Sequence, residues 1–287
     1  MNEPRPRSYP PNVQVGCYGF RLQGLDGARP LLGAVLSHWP ELRVRRAGTG
    51  GRATPALGTV GPHFAELPLQ SGGWVDLDRT ARSATFHLAH EPADGELVHP
   101  FLAVAAAVAA RWAGRESFHA GAIVVDSGAY AVLGDKESGK SSTLAWLALQ
   151  GHTVLTDDLL VLDGLDALAG PRCVDLRANS AARLGVGEPM GVVGVRERWR
   201  LALGPAPPAA PLRGWITLGW ADEVRVDRAR GPERLLSLLG HRSVRIAPSA
   251  PEVLVELSSL PVWQLRRPQE WGVLEVATRR LVEALAG

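Results

Sequence analysis

The sequence predicts an α/β fold, with a mixed sheet in residues 99–287 and a strand-rich region at 1–98. Three observations carry this. Gly134-Asp135-Lys136-Glu137-Ser138-Gly139-Lys140-Ser141 satisfies G-x-x-x-x-G-K-[ST] with no mismatch. A strand-like run, AYAVLG, leads into it, and a helical run, SSTLAWLALQ, leads out. TVLTDD follows, ending in Asp157 and Asp158, seventeen residues beyond Lys140. Strand, glycine-rich loop and helix in that order are the context a P-loop requires.

The elements follow in order. Residues 1–12 are polar and proline-rich and read as a lead. From 13 to 98 short apolar pieces (VQVGCYGFRL, WVDLD, ATFHLAH) are cut by Gly and Pro, which predicts strands, with one short helix near 29–38. Residues 47–62 are a Gly/Pro/Thr-rich loop. His99-Pro100 opens a helix over 100–113, with Pro near its start, where a missing N–H removes no helical bond. AIVVD and AYAVLG are two strands with a tight turn at Ser127-Gly128. The loop helix ends at Gly151. TVLTDD, LLVLD, PRCVDLR, WITLGW, EVRVD and WQLRR read as extended. Residues 204–214 (GPAPPAAPLRG) read as an irregular loop. Helices are expected at 232–239, 251–259 and 272–286.

Composition narrows the function. The chain is 46% hydrophobic, which suffices for a buried core, and its formal charge is +2, which gives no reason to propose nucleic acid. Phe101 to Ala110, the longest apolar run, is about half of what a bilayer span needs, so no membrane partner is expected. The N-terminus lacks a signal-peptide core. Cys17 and Cys173 form no C-x-x-C pair, which favours a reducing cytoplasm over a disulfide or zinc scaffold. Of the 31 basic residues only Lys136 and Lys140 are lysine. A chain that otherwise uses arginine keeps lysine where a compact cation must reach phosphate.

Each loop residue has a physical task. Gly134 and Gly139 let the backbone turn and approach phosphate oxygens. The amides of Asp135, Lys136, Glu137, Ser138, Gly139, Lys140, Ser141 and Ser142 form an anion nest at a helix N-terminus. Lys140 reaches the β and γ phosphates, and Ser141 offers its hydroxyl to Mg²⁺. The spacing brings Asp157 and Asp158 back on a strand beside the first, to the carboxyl edge of the sheet where ligands of such sheets bind. Adjacent strand residues face opposite ways, so both reach the site only if the strand ends or bends there. His119 begins the strand run toward the loop. His152 reads as a helix-end residue. Arg172, Arg177, Arg196, Arg198 and Arg200 are candidates to stabilise a transferred phosphoryl group, and the tryptophans read as core.

FHAGAIVVDSGAYAVLG, GDKESGKSS and LTDD together resemble the catalytic domain of the HPr kinase/phosphorylase family, in particular its shorter bacterial relatives that accompany peptide natural-product clusters. The match has good motifs over about 112–165 and extends loosely over 99–287. His119, Lys140, Ser141, Asp157 and Asp158 fall on family positions. There is a looser similarity to ATP-dependent phosphoenolpyruvate carboxykinases, for which this chain is short. The resemblance implies a P-loop core of HPr kinase/carboxykinase type that phosphorylates a serine hydroxyl on a protein or peptide with ATP and Mg²⁺. It implies that one aspartate is the general base and the other helps hold Mg²⁺. We expect Asp157 as base and Asp158, with Ser141, on the metal side; the pair could be reversed. His119 is expected near the γ-phosphate. Two departures stand out. Lys136 and Glu137 occupy loop positions that are small in the family, Glu137 replacing a glycine. No segment after Asp158 matches the glycine-containing signature linked to phosphorylase activity and hexamer contacts.

The expectation is therefore a cytoplasmic Mg-ATP-dependent serine kinase (residues 99–287) with an accessory region (1–98), acting on a protein or short peptide. A homo-oligomer is compatible with the sequence, but nothing in it indicates one. Two alternatives are an ATP-binding module whose chemistry has lapsed, which Glu137 would support, and a nucleotidase that transfers phosphate to water.

Overall fold

The computed structural model describes residues 9–10, 12–230, 233–244 and 250–286. Most of the lead at 1–12, and residue 232 of the helix expected at 232–239, lie outside these. Among the described residues no helix is long and apolar enough to cross a membrane.

Strands between Val15 and Leu88 form one eight-stranded mixed sheet. Inward-facing Phe86, Leu77 and Val75 alternate with half-exposed neighbours, the period-2 pattern of a sheet buried on one face. The helix Leu102–Trp112 closes that face. Its alanine-rich sequence (Ala105, Ala106, Ala109, Ala110) lets it lie close to the strands. A turn containing Pro100 precedes it. In place of a helix at 29–38 there is a 3₁₀ turn, Asp26–Leu31, and then a short strand, Gly33–Ala34. Pro30 within the turn removes a donor, and pairing of Gly33 with Gly16 draws the chain into the sheet.

Strands from Glu116–Phe118 onward build a nine-stranded mixed sheet. Ala120–Val125 and Gly128–Leu133 form a hairpin with Val125 opposite Gly128. The turn residues are thus Asp126 and Ser127, both at positive φ (47° and 63°), as a type I′ turn demands. Gly128 instead opens the strand. Along Gly128–Leu133, Val132 faces the cluster with Leu144, Ile216 and Leu281, while Ala131 and Leu133 face the one with Phe118 and Trp215. The sheet is therefore covered on both faces. The helices Lys140–Leu149 and Leu274–Ala286 pack on one side, and Glu233–Gly240 and Pro251–Ser259 contribute to the other.

Three features correct the sequence reading. Ala209–Trp220 is one continuous strand where a loop was expected up to 214. Pro211 is tolerated because pairing with Gly128–Leu133 begins only at Leu212, so its missing N–H removes no ladder bond on that side. Cys173–Leu176 is a strand, but Ala178–Leu184 is a helix that stops at Gly185 in the left-handed region (φ 67°). A third sheet is formed by Cys173–Leu176, Glu188–Val193 and Arg196–Ala202. Finally, Thr153–Thr156 pairs with Ala120–Val125 rather than with the strand that feeds the loop. It still runs parallel to that strand, with one strand between them, and so ends at the same edge.

Candidate active site

The lead-in strand ends at Leu133 and the chain turns at Gly134, where a Cβ would lie 2.2 Å from Ser138 Oγ. Ser138 N–H donates to Asp135 O (3.0 Å) and closes the turn. Gly139 (φ 85°) enters the helix Lys140–Leu149 from the left-handed region. Glu137 also sits at positive φ (71°), at the position where a glycine was expected. Its carboxylate lies on the rim, 3.2 Å from Arg177 Nη1. Ser142 Oγ donates to Ser180 Oγ (3.0 Å), tying the loop helix to Ala178–Leu184.

The aspartate pair follows the end of the strand Thr153–Thr156. The chain reverses there: Asp158 adopts φ 65°, and Leu159 N–H donates to Asp157 O at 2.8 Å, a three-residue turn that is rare outside glycine. Thr156 Oγ1 donates to Leu159 O (2.7 Å), and Leu159 is buried in the core of the N-terminal sheet. Packing outside the turn thus holds it, and both carboxylates reach the loop.

Lys140 is 7% exposed, its Nζ 3.2 Å from His119 Nε2 and 3.9 Å from Asp158 Oδ1. Partial burial and the lysine charge hold the His119 pKa below its usual value, which leaves a neutral imidazole to accept from the ammonium. Asp157 is 1% exposed. Ser141 Oγ donates to its Oδ1 (3.4 Å), and its buried Oδ2 has no hydrogen-bond partner. Burial, then the Asp158 charge, raises its pKa to about 7. Asp158 faces the cavity. Burial pushes it up as well, but His99, Lys140 and His119 outweigh this and hold it below the usual carboxylate range. Two adjacent carboxylates are thus driven apart, one charged and one close to protonation at neutral pH.

His99 and Asp175 were not singled out from sequence. His99 is buried, its Nε2 3.6 Å from Asp158 Oδ2 and 3.8 Å from Asp175 Oδ2. Arg200 clamps Asp175 through two donors (2.7 and 2.8 Å) and also donates to His99 O (2.6 Å). Arg198 adds a third contact to Asp175 at 3.5 Å. Arg198 and Arg200 were among the arginine candidates, but their shared target, Asp175, seventeen residues beyond Asp158 and outside any motif, carried no signal. The other arginine candidates are dispersed: Arg172 donates to Leu203 O, and Arg177 meets Glu137.

The loop, His119 and Asp158 line one cavity of about 980 Å³, within the size range of ligand sites. The residues fit a nucleotide and a divalent cation. Gly134 and Gly139 let Ser138 and Arg267 pack against the loop backbone where a Cβ would clash, and Lys140 lines the cavity. Ser141 Oγ and the unpartnered Asp157 oxygen are the hard donors Mg²⁺ takes. His99, Asp157 and Asp158 each offer an atom within 4.8 Å of the others.

No family model matches the chain, and no curated protein does. Among solved structures, the HPr(Ser) kinase/phosphatase from Coxiella burnetii is similar at 14% identity and a TM-score of 0.29, over 60% of this chain and 99% of that one. At that score the likeness carries nothing about activity, which has to be argued from the residues themselves.

Proposed function

We propose that the chain is a Mg-ATP-dependent kinase that phosphorylates a serine hydroxyl on a protein or peptide. One observation supports this above the others: a phosphate loop whose Lys140 and Ser141 contact the two members of an aspartate pair, at 3.9 and 3.4 Å. The loop amides and Lys140 bind the triphosphate. Ser141 and Asp157 hold Mg²⁺, which when bound shields the charge on the transferring phosphoryl group. Asp158, ionised and facing the cavity, accepts the acceptor hydroxyl's proton as its oxygen bonds the γ-phosphorus and the bridging P–O bond to ADP breaks. His119 keeps Lys140 oriented.

These roles reverse the expected assignment of the pair. Asp157 is too enclosed to reach an acceptor, and its raised pKa comes from burial and the Asp158 charge, which outweigh the opposing pull of Lys140. Glu137 points at Arg177 on the rim, which speaks against a lapsed cradle. The test is transfer from Mg-ATP to serine-containing peptides by the wild type and Lys140→Ala. The wild type should label serine, slowly hydrolyse ATP when no acceptor is present, and lose at least about 100-fold on the substitution. Equal labelling by the variant refutes the reading, and rapid acceptor-free turnover replaces it with a nucleotidase.

A further inference from the structure

The arginines around the cavity differ in one respect. Arg198 is committed to Asp175 and Arg177 to Glu137, and Arg196 stands half-exposed on a hairpin. Arg267 is 7% exposed and, among the described residues, has no carboxylate within ion-pair distance. Its polar contact is a 3.2 Å bond from Nη1 to Pro268 O, and its guanidinium lies 4.6 Å from the ring centroid of Trp220. Burial with no opposing charge lowers its pKa. A buried cation without an anion is destabilising and is rarely retained without a use.

Its position suggests that use. Arg267 ends the strand Val262–Arg267, which runs parallel to Ala209–Trp220; that strand runs parallel to the lead-in strand of the loop. All three therefore reach the same carboxyl edge, with Arg267 on the side of the loop away from the aspartates. It lines the same cavity. A Cβ built on Gly139 would lie 2.8 Å from Arg267 Nη2 and 3.3 Å from the Trp220 ring, so the guanidinium lies against the loop backbone. Trp220 holds the plane of the guanidinium through a cation–π contact, and both side chains line the cavity.

We propose that Arg267 completes an anion subsite for a nucleotide phosphate at the Gly139 corner of the loop, with Trp220 as the shelf that orients it. This rests on the nucleotide-binding reading above, and goes beyond it by assigning the missing half of the phosphate cradle to a strand far from the motif. Lys140 approaches the phosphates from the aspartate side, and Arg267 approaches from the opposite side.

The test is calorimetric binding of Mg-ATP and Mg-ADP to the full chain and to Arg267→Met, which keeps the stem volume but not the charge, together with thermal melting of the apo proteins. The expected result is a loss of about 10- to 100-fold in nucleotide affinity, the range for a charge-assisted contact, with an apo melting temperature unchanged or raised. Affinity within twofold of wild type overturns the proposal. So does a lowered melting temperature with affinity intact, which would make Arg267 a structural residue. A shift confined to the acceptor peptide's KM also overturns it, since the anion would then belong to the acceptor. Arg267→Gln, which keeps a donor for the Pro268 carbonyl, is read in the same way if the methionine variant does not fold. If the wild type binds no Mg-nucleotide, the nucleotide reading itself fails, an outcome distinct from all of these.

Discussion

The N-terminal sheet and the loop edge of the second sheet handle charge in opposite ways. Among the described residues up to 98, no charged side chain is in the buried set. The ion pairs there, Arg52–Glu66 and Arg46–Asp94, sit at or near the surface. The loop edge buries Lys140, Asp157, Asp175, Arg198, Arg200 and Arg267. Some are matched within the protein, as Arg200 is with Asp175; Asp157 Oδ2 and Arg267 are not. Burying an unmatched charge costs several kcal/mol by the usual order of magnitude, so a surface that collects such groups is arranged for a ligand that matches them. The apolar sheet supplies stability, and it also anchors Leu159, which fixes the Asp158 turn.

The sharpest way to break this contrast is at the aspartates. Asp158→Asn should lower transfer by about 10²–10⁴-fold while Mg-nucleotide affinity stays within a few-fold. Asp157→Asn should lower both if, as proposed, it holds the cation. The opposite pattern would restore Asp157 as the base. The pH dependence follows from the same residue. With its folded pKa raised to about 7 against a usual value of 3.8, Asp157 binds a proton in the folded state that the unfolded chain has lost. Apo stability therefore falls as pH rises from about 4 to about 7, and at pH 8 Asp157→Asn should melt several degrees higher than wild type. Mg²⁺ should bind more tightly as pH rises through about 7, where the competing proton leaves.

A smaller effect is expected in the other region. Phe86 is fully buried, and Phe86→Ala should destabilise by about 3–5 kcal/mol, read by denaturant melting. The affinity of the remaining folded protein for Mg-ATP should not change. A parallel loss would show that the N-terminal sheet shapes the cradle as well as supporting it. The smallest effect concerns Glu137. Replacing it with glycine relieves a left-handed non-glycine residue, worth about 1 kcal/mol, and removes an exposed ion pair worth about 0–1 kcal/mol, so stability should barely move. Nucleotide affinity should rise a few-fold as a negative charge leaves the rim, and calorimetry reads it directly.

The loop, its flanking strand and helix, and the return of two carboxylates to the same edge were legible in the residues alone. These are local demands: glycines where the backbone must turn, apolar periodicity on either side, and a spacing that one helix and one strand consume. The secondary structure was legible in the same way wherever periodicity was clear. It failed at residues 209–214, where a proline-rich stretch is strand because partner strands take it up, and at Ala178–Leu184, whose helix contains no strong apolar face. Folding alone decided the rest. Asp157 is enclosed and Asp158 open because Leu159 finds a core built from residues 15–110. His99, Asp175 and Arg267 join the site from positions 41, 35 and 127 residues from Lys140. No short-range pattern encodes such encounters, because they depend on which strands pair and which faces are covered. Those are set by burial summed over the whole chain.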